Sequence, residues 1–221
     1  MTNLRVTLCG IWCAACLWVS PAATRADEWQ SLFDGRTLAG WEATGSPESF
    51  RVEDGAIAAG GGPMTHLVYV GPVGNHDFTD FELEMDVKAN PGSNGGVFFH
   101  TEPQPGSLKK GYEAQVCDTY PDKRKTGSLV DVQDVDASPV KDGEWFAFRI
   151  AVKGKSITIS VNGRPVVQYE EPPNPERKKG RERRLLSHGQ IALQAHDPKS
   201  LVFYKNIRIR LPADSPGVPG R

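Results

Sequence analysis

The sequence predicts an all-β fold, a sandwich of two antiparallel sheets. Three observations predict it. Short apolar runs rich in β-branched and aromatic residues recur along the chain with alternating polarity, and few segments repeat with helical period. The chain is rich in turn-formers, with 23 Gly and 17 Pro, many lying between those runs. Its 38% apolar and 24% charged residues are ordinary for a globular protein that buries a core.

The elements follow in order. "FELEMDV" (Phe81 to Val87) alternates strictly, with Phe81, Leu83, Met85 and Val87 on one face and Glu82, Glu84 and Asp86 on the other. A half-buried antiparallel strand reads this way. "WFAFRIAV" and "SITISV" flank the turn Lys153-Gly154-Lys155, and Asn162-Gly163 is a strong hairpin signal. "GQIALQAH" and "LVFYKNIRIRL" close the domain, for about a dozen strands in all. The segment Glu170 to Gly189 is rich in Pro and charge and reads as a solvated loop. Its basic cluster (Arg177, Lys178, Lys179, Arg181, Arg183, Arg184) offers an acidic partner as the alternative.

Residues 1–26 differ from the rest. Arg5 precedes an apolar stretch ending at Pro21, and small residues precede Asp27. This is the order of a secretory signal peptide, with an uncleaved anchor as the alternative. The expected organisation is a signal peptide over 1–26, one β-sandwich domain over 27–211 and a flexible tail over 212–221. The expected location is secreted or periplasmic, with no membrane span after cleavage. Cys9, Cys13 and Cys16 would leave with the signal, so Cys117 would be alone and no intrachain disulfide could form. The formal charge of -1 gives no electrostatic case for nucleic acid.

The chain has no G-x-S-x-G, no H-E-x-x-H and no phosphate loop. What remains is polar residues set into apolar strands. In "GYEAQVCD", Glu113 and Gln115 share one strand face. In "IALQAHD", Gln194 and His196 do the same. "PGSNGGVFFHTE" runs into His100. Strand parity there places Val97 and Phe99 in the core, with Phe98 and His100 on an open, concave face.

These segments, with "SLFDGRTLAGW", "FRVEDGAI" and "KTGSLVD", occur in the order found in the 3-keto-disaccharide hydrolase family. The resemblance covers about Trp29 to Leu211. It implies a concanavalin A-like jelly roll and a secreted bacterial enzyme that cleaves 3-keto-glycosides by base-assisted elimination and hydration. Three positions depart from the family pattern: His100 for Arg, Val130 for an aromatic and Asp197 for Gly. On this resemblance the catalytic candidates are His196, Glu113 and His100. Asn94, Phe98, Gln115, Gln194 and Tyr112 are the candidates for holding a sugar or oligosaccharide. No cofactor is assigned, though a divalent cation could supply an electrophile to His and carboxylate ligands. Direct hydrolysis by paired carboxylates is less supported, because there is no E-x-D-x-E strand. A non-catalytic sugar-binding module, with Tyr112, Tyr120 and Trp145 as stacking surfaces, is the alternative, and an envelope interaction domain is the third.

Export makes a direct prediction. N-terminal sequencing of the protein from its native host begins near Asp27. An intact Met1 on a cytoplasmic protein overturns it.

Overall fold

The computed structural model describes residues 28–212, so the expected signal peptide and nearly all of the expected tail lie outside the described residues. Thirteen strands are found among them, close to the dozen expected. They are β1 (Gln30–Ser31), β2 (Trp41–Ala43), β3 (Phe50–Glu53), β4 (Ala56–Gly60), β5 (Thr65–Tyr69), β6 (Phe81–Ala89) and β7 (Asn94–Thr101). Then come β8 (Tyr112–Cys117), β9 (Phe146–Lys153), β10 (Ser156–Val161), β11 (Arg164–Glu170), β12 (Gln190–Ala195) and β13 (Leu201–Arg210). Two single turns of 3-10 helix, Pro47–Ser49 and Val73–His76, are the helical segments among the described residues. No helix there is long and apolar enough to cross a membrane.

The strands form two antiparallel sheets. The larger runs β11-β10-β9-β6-β13-β4-β3, with β1 paired to β13, and the smaller runs β2-β5-β12-β7-β8. Alternation decides what fills the space between them. Phe81, Leu83, Met85 and Val87 of β6 face Val97 and Phe99 of β7, Tyr112, Ala114 and Val116 of β8, and Leu193 of β12 in one core. Each such aromatic or aliphatic side chain contributes roughly 1.5–3 kcal/mol by leaving water. The hairpin at Asn162-Gly163 forms as expected. Both residues have positive φ, 49° and 76°, which a two-residue primed turn requires.

Two expectations on side-chain direction are corrected. Tyr112 lies on the core side of β8, stacked on Phe99 at 5.8 Å, and its hydroxyl donates to buried Glu171. It therefore faces away from the proposed sugar-binding face. His100 leaves the parity of its strand. Phe99 and His100 of β7 together stand opposite the single residue Ile191 of β12, because the register jumps from Phe98↔Ala192 to Thr101↔Gln190. This is a β-bulge, and bulges re-aim side chains. His100 takes a left-handed φ of 54° and is buried against the edges of Phe81 and Phe99. Gly111 and Gly189 make room for it. A Cβ at Gly111 would lie 2.2 Å from the Phe99 carbonyl oxygen, and one at Gly189 would lie 2.4 Å from that of Thr101.

His100 is held as one neutral tautomer. Its Nε2–H donates to the Thr79 carbonyl at 2.8 Å, and its Nδ1 accepts the Ser187 N–H at 3.2 Å. A second proton on Nδ1 would point at that N–H. Burial pushes the imidazole pKa down to about 4.

The expected solvated loop is also corrected. Arg177 bonds the hydroxyls of Tyr112 and Tyr169, and Lys178 and Arg181 pair with Asp131. Arg184 is buried. Much of the basic cluster is thus committed to partners inside the molecule.

The His100 site predicts an acid-sensitive fold. Above about pH 6.5 the residue is neutral whether folded or unfolded. On acidification the unfolded chain binds the proton first, so stability falls between about pH 6.5 and 4. The depression to about 4 corresponds to about 3 kcal/mol for this residue. His100→Asn, a residue that tolerates left-handed φ, is expected to lower stability at neutral pH and to flatten that part of the profile. Urea midpoints at pH 7.5 and 4.5 check it. An unchanged difference between the two pH values overturns it.

Candidate functional site

The site lies on the face of the five-stranded sheet turned away from the core. Register builds it. Gln194 stands opposite His66, Gly96 opposite Gln115 and Phe98 opposite Glu113. The pair Leu193↔Val97 puts Gln194 beside Gly96. One row across four strands is therefore His66, Gln194, Gly96 and Gln115. The next row is Val68, Ala192, Phe98 and Glu113. Asn94 begins β7 beyond the first row, and His196 follows the end of β12 on the same side.

Gly96 is a gap in the first row. A Cβ there would lie 2.9 Å from Oε1 of Glu113 and 3.1 Å from its Cγ. The missing side chain gives the glutamate its space.

This face is polar but largely withdrawn from water. His66, Glu113, Gln115, Asn94 and Gln194 are all buried. Two loops cover them. Leu108 lies over Phe98, in an apolar cluster with Val68 and Ala192. Arg184 reaches in from the basic loop, its guanidinium 5.5 Å from the centre of the Phe98 ring, and bonds Oε2 of Glu113 at 3.2 Å. The expectation that Phe98 forms an open floor for a sugar ring is therefore corrected. Phe98 is the base of a covered compartment.

The electrostatics follow from that cover. Burial raises the Glu113 carboxyl pKa above its ordinary value, with the Arg184 charge opposing. Burial lowers the Arg184 pKa, with Glu113 opposing. Burial also brings His66 down to about 4, so it is neutral at physiological pH. Its ring meets the Phe98 ring edge-on at 4.8 Å. Four buried polar atoms here lack a hydrogen-bond partner: Nε and Nη1 of Arg184, Oε1 of Gln194 and Nδ1 of His66. Unpaired groups of this kind are costly in a core and common at binding sites.

His196 stands at the edge of this face and is half-buried. Its Nδ1 lies 2.8 Å from Oδ2 of Asp197, and its ring meets Tyr120 edge-on at 5.3 Å. Nearby, the Gln115 carboxamide donates to Oδ1 of Asn94 at 3.3 Å. Val130 is buried beside the site, its N–H bonded to the Glu113 carbonyl.

Of the eight residues singled out from sequence, His196, Glu113, Asn94, Gln115, Gln194 and Phe98 share this face, while His100 and Tyr112 do not. His66 and Arg184 were not singled out. His66 had a signal, since "THLVY" sets it on one strand face with Val68. Arg184 was hidden in a run of six basic residues. No three His, Cys, Asp or Glu side chains converge as a metal-ligating group among the described residues. A depression of about 680 Å³ lies on the other sheet, lined by Trp29, Glu84, Arg149 and Arg208. Its charged groups neutralise one another, as in Arg149 with Glu82 and Arg208 with Glu84.

The family model described as 3-keto-alpha-glucoside-1,2-lyase-like domain matches residues 28–210. The chain is 28% identical over 171 residues to the 3-keto-disaccharide hydrolase of Bacteroides thetaiotaomicron, covering 65% of this chain and 59% of that protein. It therefore spans less than two thirds of that relative. In structure it is similar to a candidate glycosyl hydrolase from Parabacteroides distasonis, with TM-score 0.68 and 24% identity over 82% of this chain and 93% of the other. A carbohydrate-binding module from Bacillus subtilis aligns with TM-score 0.56 and 13% identity, over 77% and 95% of the two chains. These two likenesses are of fold, a concanavalin A-like jelly roll. With a family model running from the residue before Trp29 to the end of β13, the chain belongs to the 3-keto-alpha-glucoside-1,2-lyase-like domain family.

Proposed function

We propose that this protein cleaves the glycosidic bond of 3-keto-glycosides, outside the cytoplasm, by elimination across carbons 1 and 2 followed by hydration. The observation that carries the reading is a cluster of buried polar side chains on one sheet face with a half-buried histidine at its edge. Family membership supplies the substrate class.

The chemistry asks for three groups. A ketone at carbon 3 acidifies the hydrogen on carbon 2, so a base must take that proton, and His196 is the titratable group at that edge. The electron pair moves into the bond between carbons 2 and 3, and charge grows on the ketone oxygen. The unpaired N–H groups of Arg184 are donors suited to that oxygen, in a setting where water does not compete. The enolate then expels the oxygen on carbon 1, which needs a proton. Glu113, whose affinity for a proton is raised by burial, suits that role. Water adds across the resulting double bond, hydroxyl to carbon 1 and hydrogen to carbon 2. Asn94 and Gln115 are placed to hold sugar hydroxyls.

A sugar-binding role without catalysis is the second reading, and the likeness in fold to a carbohydrate-binding module favours it. One experiment separates the two. A 3-keto-disaccharide and its unoxidised parent are incubated with the protein in deuterated water, and products are followed by mass spectrometry. Cleavage of the keto-sugar alone, with one deuterium on carbon 2 of the product, is expected. Equal cleavage of both without deuterium indicates ordinary hydrolysis, and binding without cleavage indicates a module. His196→Gln and Glu113→Gln are each expected to lower turnover at least about tenfold, or about 1.4 kcal/mol. Circular dichroism confirms the fold of the Glu113 variant, because breaking a buried ion pair costs about 3–5 kcal/mol. Exposed Lys179→Ala changes neither turnover nor stability. Full activity in His196→Gln removes His196 from the mechanism.

A further inference from the structure

Asp197 begins the turn after β12. Its two carboxylate oxygens have distinct partners, and the Tyr120 hydroxyl also lies against this carboxylate. Oδ1 accepts the N–H groups of Lys199 at 2.8 Å and Ser200 at 3.0 Å. Oδ2 accepts the Ser200 hydroxyl at 3.0 Å and faces Nδ1 of His196 at 2.8 Å. A residue that only shaped the turn would need Oδ1 and its two backbone donors. The second oxygen is shared by the Ser200 hydroxyl and the histidine.

We propose that Asp197 positions the base of this protein, holding His196 as the Nδ1–H tautomer so that the lone pair of Nε2 is available to the carbon-2 hydrogen. The assignment rests on the reading of His196 as the base given above. Burial works against charge on Asp197, but the His196 bond and the donors of Lys199 and Ser200 outweigh it and bring the carboxyl to about 2. At neutral pH the carboxylate can only accept, so the proton between the two side chains belongs to His196. In the neutral imidazole this leaves Nε2 unprotonated. Tyr120, edge-on to the ring, limits its rotation. When Nε2 takes the proton from carbon 2, the C–H electron pair passes to the bond between carbons 2 and 3. The imidazolium that forms then has the fixed anion at its other nitrogen.

The same carboxylate ties the base to the carboxamides. The Ser200 hydroxyl, which donates to Oδ2, accepts the Asn94 N–H at 2.9 Å. Asn94 in turn accepts from Gln115. The start of β7 and the end of β12 are therefore set by one buried serine between Asp197 and Asn94.

Two substitutions separate positioning from turn-making. In Asp197→Asn the Lys199 and Ser200 N–H groups keep the single carboxamide oxygen. The NH2 group then faces Nδ1 of His196 and donates to it, which forces the proton onto Nε2. Asp197→Gly loses every side-chain contact and leaves the tautomer free. The expected order of activity is parent, then Gly, then Asn. In the Asn variant kcat falls about 100-fold or more while KM moves less than about threefold. A residue serving only the turn gives the reverse order, with Gly the more damaging. Long-range proton–nitrogen NMR reads the tautomer without substrate, the His196 signals being identified by their absence in His196→Gln. The expected spectra show Nδ1–H in the parent and Nε2–H in Asp197→Asn. Nε2–H in the parent, or a Gly variant worse than the Asn variant, overturns the assignment. If the parent cleaves no 3-keto-glycoside, the proposed reaction falls, and the tautomer alone decides the role of Asp197.

Discussion

The site depends on one physical condition: a sheet face that is polar and yet withdrawn from water. Such a face is costly, because each buried donor or acceptor must find a partner or lose its hydration uncompensated. Most of the groups here do find partners, as Glu113 does in Arg184 and Gln115 in Asn94. Nε and Nη1 of Arg184, Oε1 of Gln194 and Nδ1 of His66 do not. These unmet hydrogen-bonding groups lie on one side of the five-stranded sheet, on the same face as the half-buried His196. A ligand rich in hydroxyl and carbonyl oxygens is suited to such a compartment.

The cover that creates this condition comes from the two loops flanking β8 and β12. Glu171, buried at the end of β11, anchors the second of them. It receives the Tyr112 hydroxyl from the core and the Leu186 N–H from the loop, with Lys155 at 3.1 Å. Arg177 and Arg184 are drawn into the structure from this anchor, linked by the bond from the Arg177 guanidinium to the Arg184 carbonyl. A segment with the composition of a solvated loop is thus a structural wall of the site. Arg177, Lys178, Arg181 and Arg183 meet acidic or phenolic partners within the fold. The bulge at His100 serves the same wall, since Nδ1 of His100 accepts the Ser187 N–H.

The jelly roll is shared by enzymes and by binding modules, and fold does not choose between them. The choice is made by what stands on the polar face. Here a buried carboxyl with raised proton affinity and a histidine held by a carboxylate sit at opposite sides of a gap left by Gly96.

Much of this was legible in the sequence because a strand has period two. The alternation in Phe81 to Val87 named its own core face, and the spacing of Glu113 with Gln115 and of Gln194 with His196 put each pair on one side of a strand. The Asn162-Gly163 turn was legible for a similar local reason. The same rule failed at His100, where an extra residue in one strand reversed the parity, and such a residue is defined only by the partner strand across from it. Tyr112 was misplaced for a different reason. Parity sets it opposite to Glu113, but which side of β8 meets the second sheet is a matter of packing. His66 and Arg184 come from segments 118 residues apart and meet over Phe98 only in the folded chain. Local periodicity determined which residues share a face. Strand pairing and loop cover, which join distant parts of the chain, decided which face is the core, which is the site and how much water reaches it.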